Sequence, residues 1–132
     1  WWGVPNGTRA ALWSILPMFA PEGADPWREM DRSVRIGFEQ GVRLPSALFA
    51  IAAHSVGDEQ RVRRAIREFS KNDSHIDQNY AMLDALAEFL ITGISDRLWT
   101  EATGKRTPFG GLGTFWDDQR SSQPAFDIDD LL

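Results

Sequence analysis

The chain has 132 residues, 42% of them hydrophobic and 25% charged, with 14 Lys and Arg against 19 Asp and Glu. That length suits one domain able to bury roughly two thirds of its unfolded surface, and a composition near the globular average excludes collagen-like and wholly disordered chains. Mean hydropathy is -0.34, and no apolar run approaches the ~18 residues of a bilayer span.

A net charge of -5 and an isoelectric point of about 4.9 argue against a protein whose task is to coat nucleic acid, because phosphate neutralisation drives that affinity. Cysteine is absent, which removes disulfides, thiolate nucleophiles and thiolate metal sites. With no basic segment leading into an apolar one, as a secretory signal would have, these features point to the cytoplasm.

Asn6-Gly7-Thr8 reads as a turn with Thr8 as the N-cap of a first helix, on which Leu12, Ile15, Leu16 and Phe19 share one face. Pro17 shortens or bends it, and Pro21-Glu22-Gly23 is a loop. Asp25-Pro26 then gives an N-cap followed by proline at the first helical position. Trp27, Met30, Val34 and Phe38 follow at helical spacing, and Gly41 stands where a C-terminal glycine belongs. The pattern predicts a helix over 26–40.

Pro45-Ser46 opens a third helix, rich in small apolar residues (Ala47, Ala50, Ala52, Ala53) that allow close approach, and Gly57 closes it. This is the expected central helix. Asp58 caps a fourth, with Val62, Ile66 and Phe69 as its apolar stripe. Ser74 with Asp77 resembles a capping box at the start of the longest helix. There Ile76, Tyr80, Leu83, Ala87, Leu90 and Ile94 form a stripe that Met82, Leu86 and Phe89 widen. Gly93 predicts a kink, Ser95-Asp96 a second start, and Gly104 the end.

From Lys105 the pattern breaks. Thr107 to Gly113 is dominated by proline and glycine, and beyond it aromatic residues stand singly or in pairs among Asp, Ser and Gln. The expectation is an all-α five-helix bundle or orthogonal helical array over residues 1–104, with a non-helical C-terminal arm over 105–132.

Candidate chemistry is thin. Asp73, His75 and Asp77 could ligate a metal, yet they sit at a predicted helix start, where Asp and Ser satisfy free N–H groups. Asp77, Asp84 and Glu88 read as a solvated acidic face. His54-Ser55 lies near a helix end and has no nucleophile elbow around it. Gly110-Gly111-Leu112-Gly113 lacks the Lys-Ser/Thr and the helix that a phosphate loop needs. No cofactor and no metal site is expected. A small helical hydrolase or metalloenzyme built on His54, Asp73, His75 and Asp77 is the weakest of the readings.

Two features stand out more. Arg61, Arg63, Arg64, Arg67 and Lys71 fall within eleven residues against Glu68 alone, with Arg63, Arg67 and Lys71 in a row at successive turns. Such a row can meet an acidic partner, phosphates or the chain's own acidic residues, and most charge runs are solvated faces. The second feature is the aromatic residues near the chain ends: Trp1, Trp2, Phe109, Phe115, Trp116 and Phe126. A small domain has little interior left for them, and tryptophan is enriched at interfaces.

Trp1-Trp2, the run Gly7-Thr8-Arg9-Ala10-Ala11-Leu12 and the alanine-rich stretch Leu48–Ala53 resemble the small helical subunit of type I CRISPR surveillance complexes, over about the first sixty residues. The resemblance implies an α-helical, non-catalytic subunit lying along nucleic acid. The acidic balance and the glycine-rich arm depart from that pattern. The leading expectation is a non-enzymatic subunit or adaptor that contacts other protein subunits through the terminal aromatics and the basic row. The nucleic-acid-guided complex is the alternative.

Overall fold

A computed structural model describes residues 4–72 and 76–118. Its helices are α1 (Val4–Ile15), α2 (Pro26–Glu39), α3 (Leu44–Ser55), α4 (Glu59–Lys71) and α5 (Ala81–Thr103), with short 3-10 turns at Pro17–Phe19 and Gln78–Tyr80. No strand occurs among the described residues. The described residues form an all-α array, and 104–117, after α5, lie in turns and irregular structure.

Local chemistry sets most helix ends. The Asp25 carboxylate accepts the Arg28 N–H at 3.3 Å, with Pro26 at the first helical position, and the Asp58 carboxylate accepts the Arg61 N–H at 3.1 Å. Each satisfies a donor that the first turn leaves free. Past the ends of α2, α3 and α5 stand Gly41, Gly57 and Gly104, with φ of 72°, 75° and 76°. That left-handed conformation strains any residue with a Cβ.

Helix α3 is the centre of the array and packs against α1, α2, α4 and α5. It is buried nearly all round through Leu44, Ala47, Phe49, Ala50, Ala52 and Ala53. Around it lie Met30 and Val34 of α2, Val62, Ile66 and Phe69 of α4, and Ala87, Ile91 and Leu98 of α5. Trp27 sits edge-on to Phe49 with ring centroids 5.5 Å apart. Helix α2 turns into α3 closely: a Cβ on Gly37 would stand 2.5 Å from the Val42 carbonyl oxygen.

Several expectations fail in the helices. The predicted turn at Asn6-Gly7-Thr8 lies inside α1, which begins at Val4. Gly7 is buried there because a Cβ would come within 2.6 Å of Ser33 Oγ, so the glycine permits close packing of α1 on α2. Consequently α1 buries its small residues Gly7 and Ala10, while Leu12, Ile15, Leu16 and Phe19 face outward. In α5 the helix runs on through Gly93 without the second start expected at Ser95-Asp96. Its own first turn begins at Ala81, after Asp77 caps the 3-10 turn by accepting the Asn79 N–H at 2.9 Å. Ser74 lies outside the described residues.

Candidate functional site

The basic row on α4 folds back onto the chain's own acids. Arg63 donates from Nη1 to Asp117 at 2.7 Å and from Nη2 to Glu59 at 2.6 Å. Arg67 reaches Asp118 at 2.7 Å, Arg64 reaches Asp31 of α2 at 3.0 Å, and Arg61 pairs with Asp58. Lys71 is exposed in the last turn. Burial disfavours the Arg63 charge, but the hydrogen bonds it donates to Asp117 and Glu59 outweigh it and raise the pKa. The Arg63 hydrogen bond holds the Asp117 carboxyl below its ordinary range. The row thus offers an outside phosphate much less free charge than its sequence suggests.

The same arginines seat the arm. Arg63 lies over the rings of Phe115 and Trp116, 4.8 and 4.7 Å from their centroids, and Arg67 lies 4.9 Å from that of Phe115. Phe115 is buried, and Trp116 packs edge-on against Trp99 of α5 at 5.7 Å. Polar contacts fix the path: Thr107 Oγ1 to buried Ser95 Oγ at 2.7 Å, Ser70 Oγ to the Leu112 carbonyl at 2.9 Å, and Trp99 Nε1 to the Thr114 carbonyl at 3.1 Å. Residues 105–118 therefore bridge α4 and α5 as part of the helical domain. Of the terminal aromatics, Phe115 and Trp116 are engaged within the chain. Phe109 stands fully exposed on a turn closed by Gly111 N–H to the Pro108 carbonyl at 2.8 Å. Trp1, Trp2 and Phe126 lie outside the described residues.

The described acidic residues considered for metal chemistry are taken up by other contacts. Asp84 is buried and gripped by Arg43, which overturns its reading as part of a solvated face. Asp77 is a cap, and Asp73 and His75 lie outside the described residues. Among the described residues no group of three His, Asp or Glu stands close enough to hold a metal. No helix among them is long and apolar enough to cross a membrane.

The residues expected to widen the packed stripe of the longest helix, Met82, Leu86 and Phe89, are instead left exposed on its outer side. They fall in one row of α5, and Met82 and Phe89 are 85% and 75% exposed. Beside that row a groove of about 660 Å³ runs between α3 and α5, with Ile51, Phe89, Leu90 and Ile94 in its walls and Glu88 and Arg97 among its polar residues. Gly93 opens onto it with nothing within 4 Å of where a Cβ would stand. A second bare area spans Leu12, Leu16, Met18 and Phe19 at the end of α1. Exposed contiguous apolar surface of this kind marks contact sites.

No family model, no curated protein and no solved structure matches this chain.

Proposed function

We propose that this chain is a non-enzymatic helical subunit of a larger protein assembly, receiving an amphipathic helix of a neighbouring subunit along α5. The observation that carries the reading is the row Met82, Leu86 and Phe89, left uncovered on a helix whose other side is firmly packed through Ala87 and Ile91. The adjoining groove supports the same reading. Its walls are mainly apolar, with Glu88 and Arg97 among the few charges, which is the anatomy of a protein interface. Gly93 leaves room for a second backbone to approach closely. Knobs at successive turns beside such a slot suit helix-in-groove recognition. Exposed Phe109 adds a separate anchor.

The test replaces Phe89 with a photo-crosslinking residue in the cell of origin, with Glu22 as an exposed control. The expected result is one discrete adduct with another protein from position 89 and none from position 22. The reading fails if position 89 yields no adduct and the chain sediments as a free monomer in lysate. Phe89→Ser should abolish co-sedimentation with the assembly while leaving the thermal midpoint of the isolated chain unchanged.

A further inference from the structure

The structure assigns a second binding site, for closely spaced phosphate groups, to a cleft between α1 and α2 that is independent of the α5 surface. The cleft has a volume of about 710 Å³, and Arg9, Trp13, Arg28, Arg32 and Arg35 line it. Its size falls in the range of small-molecule sites, about 300–1,000 Å³. Arg28, Arg32 and Arg35 stand at i, i+4 and i+7 on α2, so they share one face, and Arg9 comes from α1.

Charge distinguishes this cleft from the row on α4. Four arginines face it against two carboxylates, Asp25 and Glu29. Asp25 is already engaged in capping, accepting the Arg28 backbone N–H. Asp31, the acid within the same stretch of α2, is held by Arg64 of α4. None of the four arginines forms an ion pair among the described residues. Arg9 is steadied instead by the Asn6 side-chain oxygen at 3.3 Å and by the Trp13 ring, 5.1 Å from its centroid.

Four arginines lining one cleft suit an anion with many oxygens and more than one negative charge. Arginine binds phosphate bidentately and remains charged at any physiological pH. A single carboxylate would leave most of these forks unmet. Two sources share the required chemistry, a soluble polyphosphate and the backbone of a single strand, and the half-buried Trp13 indole lies beside the arginines in either case.

The experiment titrates the whole chain with sodium tripolyphosphate and with thymidine oligomers of increasing length, by calorimetry at low and high salt. Binding of at least one probe is expected. Arg28→Glu and Arg32→Glu should each weaken it roughly tenfold, and each lost strand contact should reduce the salt slope by about one. Lys105→Glu, an exposed basic position away from the cleft, should leave it unchanged. Thermal midpoints of all variants should match that of the parent, and Arg32→Gln repeats the test with a milder change. Equal affinity for tripolyphosphate and oligomers identifies a soluble polyphosphate, whereas affinity that rises with oligomer length identifies a strand. Absence of binding at millimolar concentration, or an equal loss in Lys105→Glu, overturns the assignment.

Discussion

Arg43 and Asp84 face each other fork to fork, Nε to Oδ1 at 2.7 Å and Nη2 to Oδ2 at 2.6 Å, with the residues only 5% and 6% exposed. The pair ties the entrance of α3 to the first turn of α5. The guanidinium also donates to the Phe69 carbonyl at 3.3 Å and lies 4.0 Å from the centroid of the Phe69 ring, so α4 is held by the same group. Three helices thus meet on one arginine.

Removing Asp84 leaves Arg43 charged and buried, with the Phe69 carbonyl and Glu88, 4.0 Å away, as poor substitutes for the two short bonds it loses. Asp84→Ala should therefore destabilise the fold by about 3–5 kcal/mol, read as a shift of the urea midpoint at constant slope. Replacing both partners by apolar residues of similar volume, Arg43→Met with Asp84→Leu, should recover most of the loss, because no uncompensated charge remains. A double variant as unstable as the single one would show that the hydrogen bond to Phe69, rather than the ion pair, dominates.

The arm belongs to the fold, and Phe115 is its plug. At 2% exposure, it fills the space beside the Arg63 and Arg67 side chains as a member of the core. Phe115→Ala should lower stability by about 3 kcal/mol, the lower end of the range for buried aromatic truncations. Phe109→Ala, on the exposed turn of the same arm, should leave the unfolding midpoint where it is.

Acid should loosen the arm's contact with α4 at Arg63 before the bundle opens. The Arg63 hydrogen bond depresses the Asp117 carboxyl in the docked state. A depressed folded pKa means that docking is favoured above the unfolded value and weakens as pH falls through the folded one. The Arg63–Asp117 contribution is therefore complete at neutral pH and fades below about pH 4. Trp99 and Trp116, in edge contact, report undocking as a change in fluorescence that precedes loss of helical circular dichroism. Asp117→Asn should flatten that early phase. An unchanged acid profile in this variant would show that Asp117 does not govern the early phase.

Helices α2, α3 and α4 are legible in the sequence because side chains written next to their ends make those ends. Asp25-Pro26 and Asp58 cap, and Gly41 and Gly57 take the left-handed turn. The phase of α1 is not legible. Its large residues Leu12, Ile15 and Leu16 suggest an inward stripe, but Gly7 and Ala10 hold the inward side because α2 comes too close for anything bigger. Burial by small residues leaves no hydrophobic period to read.

The fate of the arginine row was visible only as a possibility of charge pairing. Arg63 and Asp117 lie 54 residues apart, and only the arm's path between α4 and α5 brings them together. The α1–α2 cleft was hidden for a similar reason. Arg28, Arg32 and Arg35 already share a face of α2, but Arg9 joins them only when α1 packs against it.

Two helical glycines should respond to alanine in opposite directions. On Gly37 the new methyl would stand 2.5 Å from the Val42 carbonyl oxygen and 3.0 Å from a Pro45 ring carbon, where neither the backbone nor the proline can give way easily. Gly37→Ala should cost about 1–3 kcal/mol through overpacking at the α2–α3 corner. On Gly93 the methyl meets nothing within 4 Å, and the helix gains from a residue with less freedom in the unfolded chain. Gly93→Ala should therefore stabilise the isolated protein by about 0.5–1 kcal/mol. The same change should weaken docking on α5, since it fills the slot that a neighbouring helix would enter beside Phe89. Measured together, a higher thermal midpoint and weaker association from one methyl group would separate the needs of the interface from those of the fold. A Gly93→Ala chain that is more stable and associates as before would place the partner elsewhere on the surface.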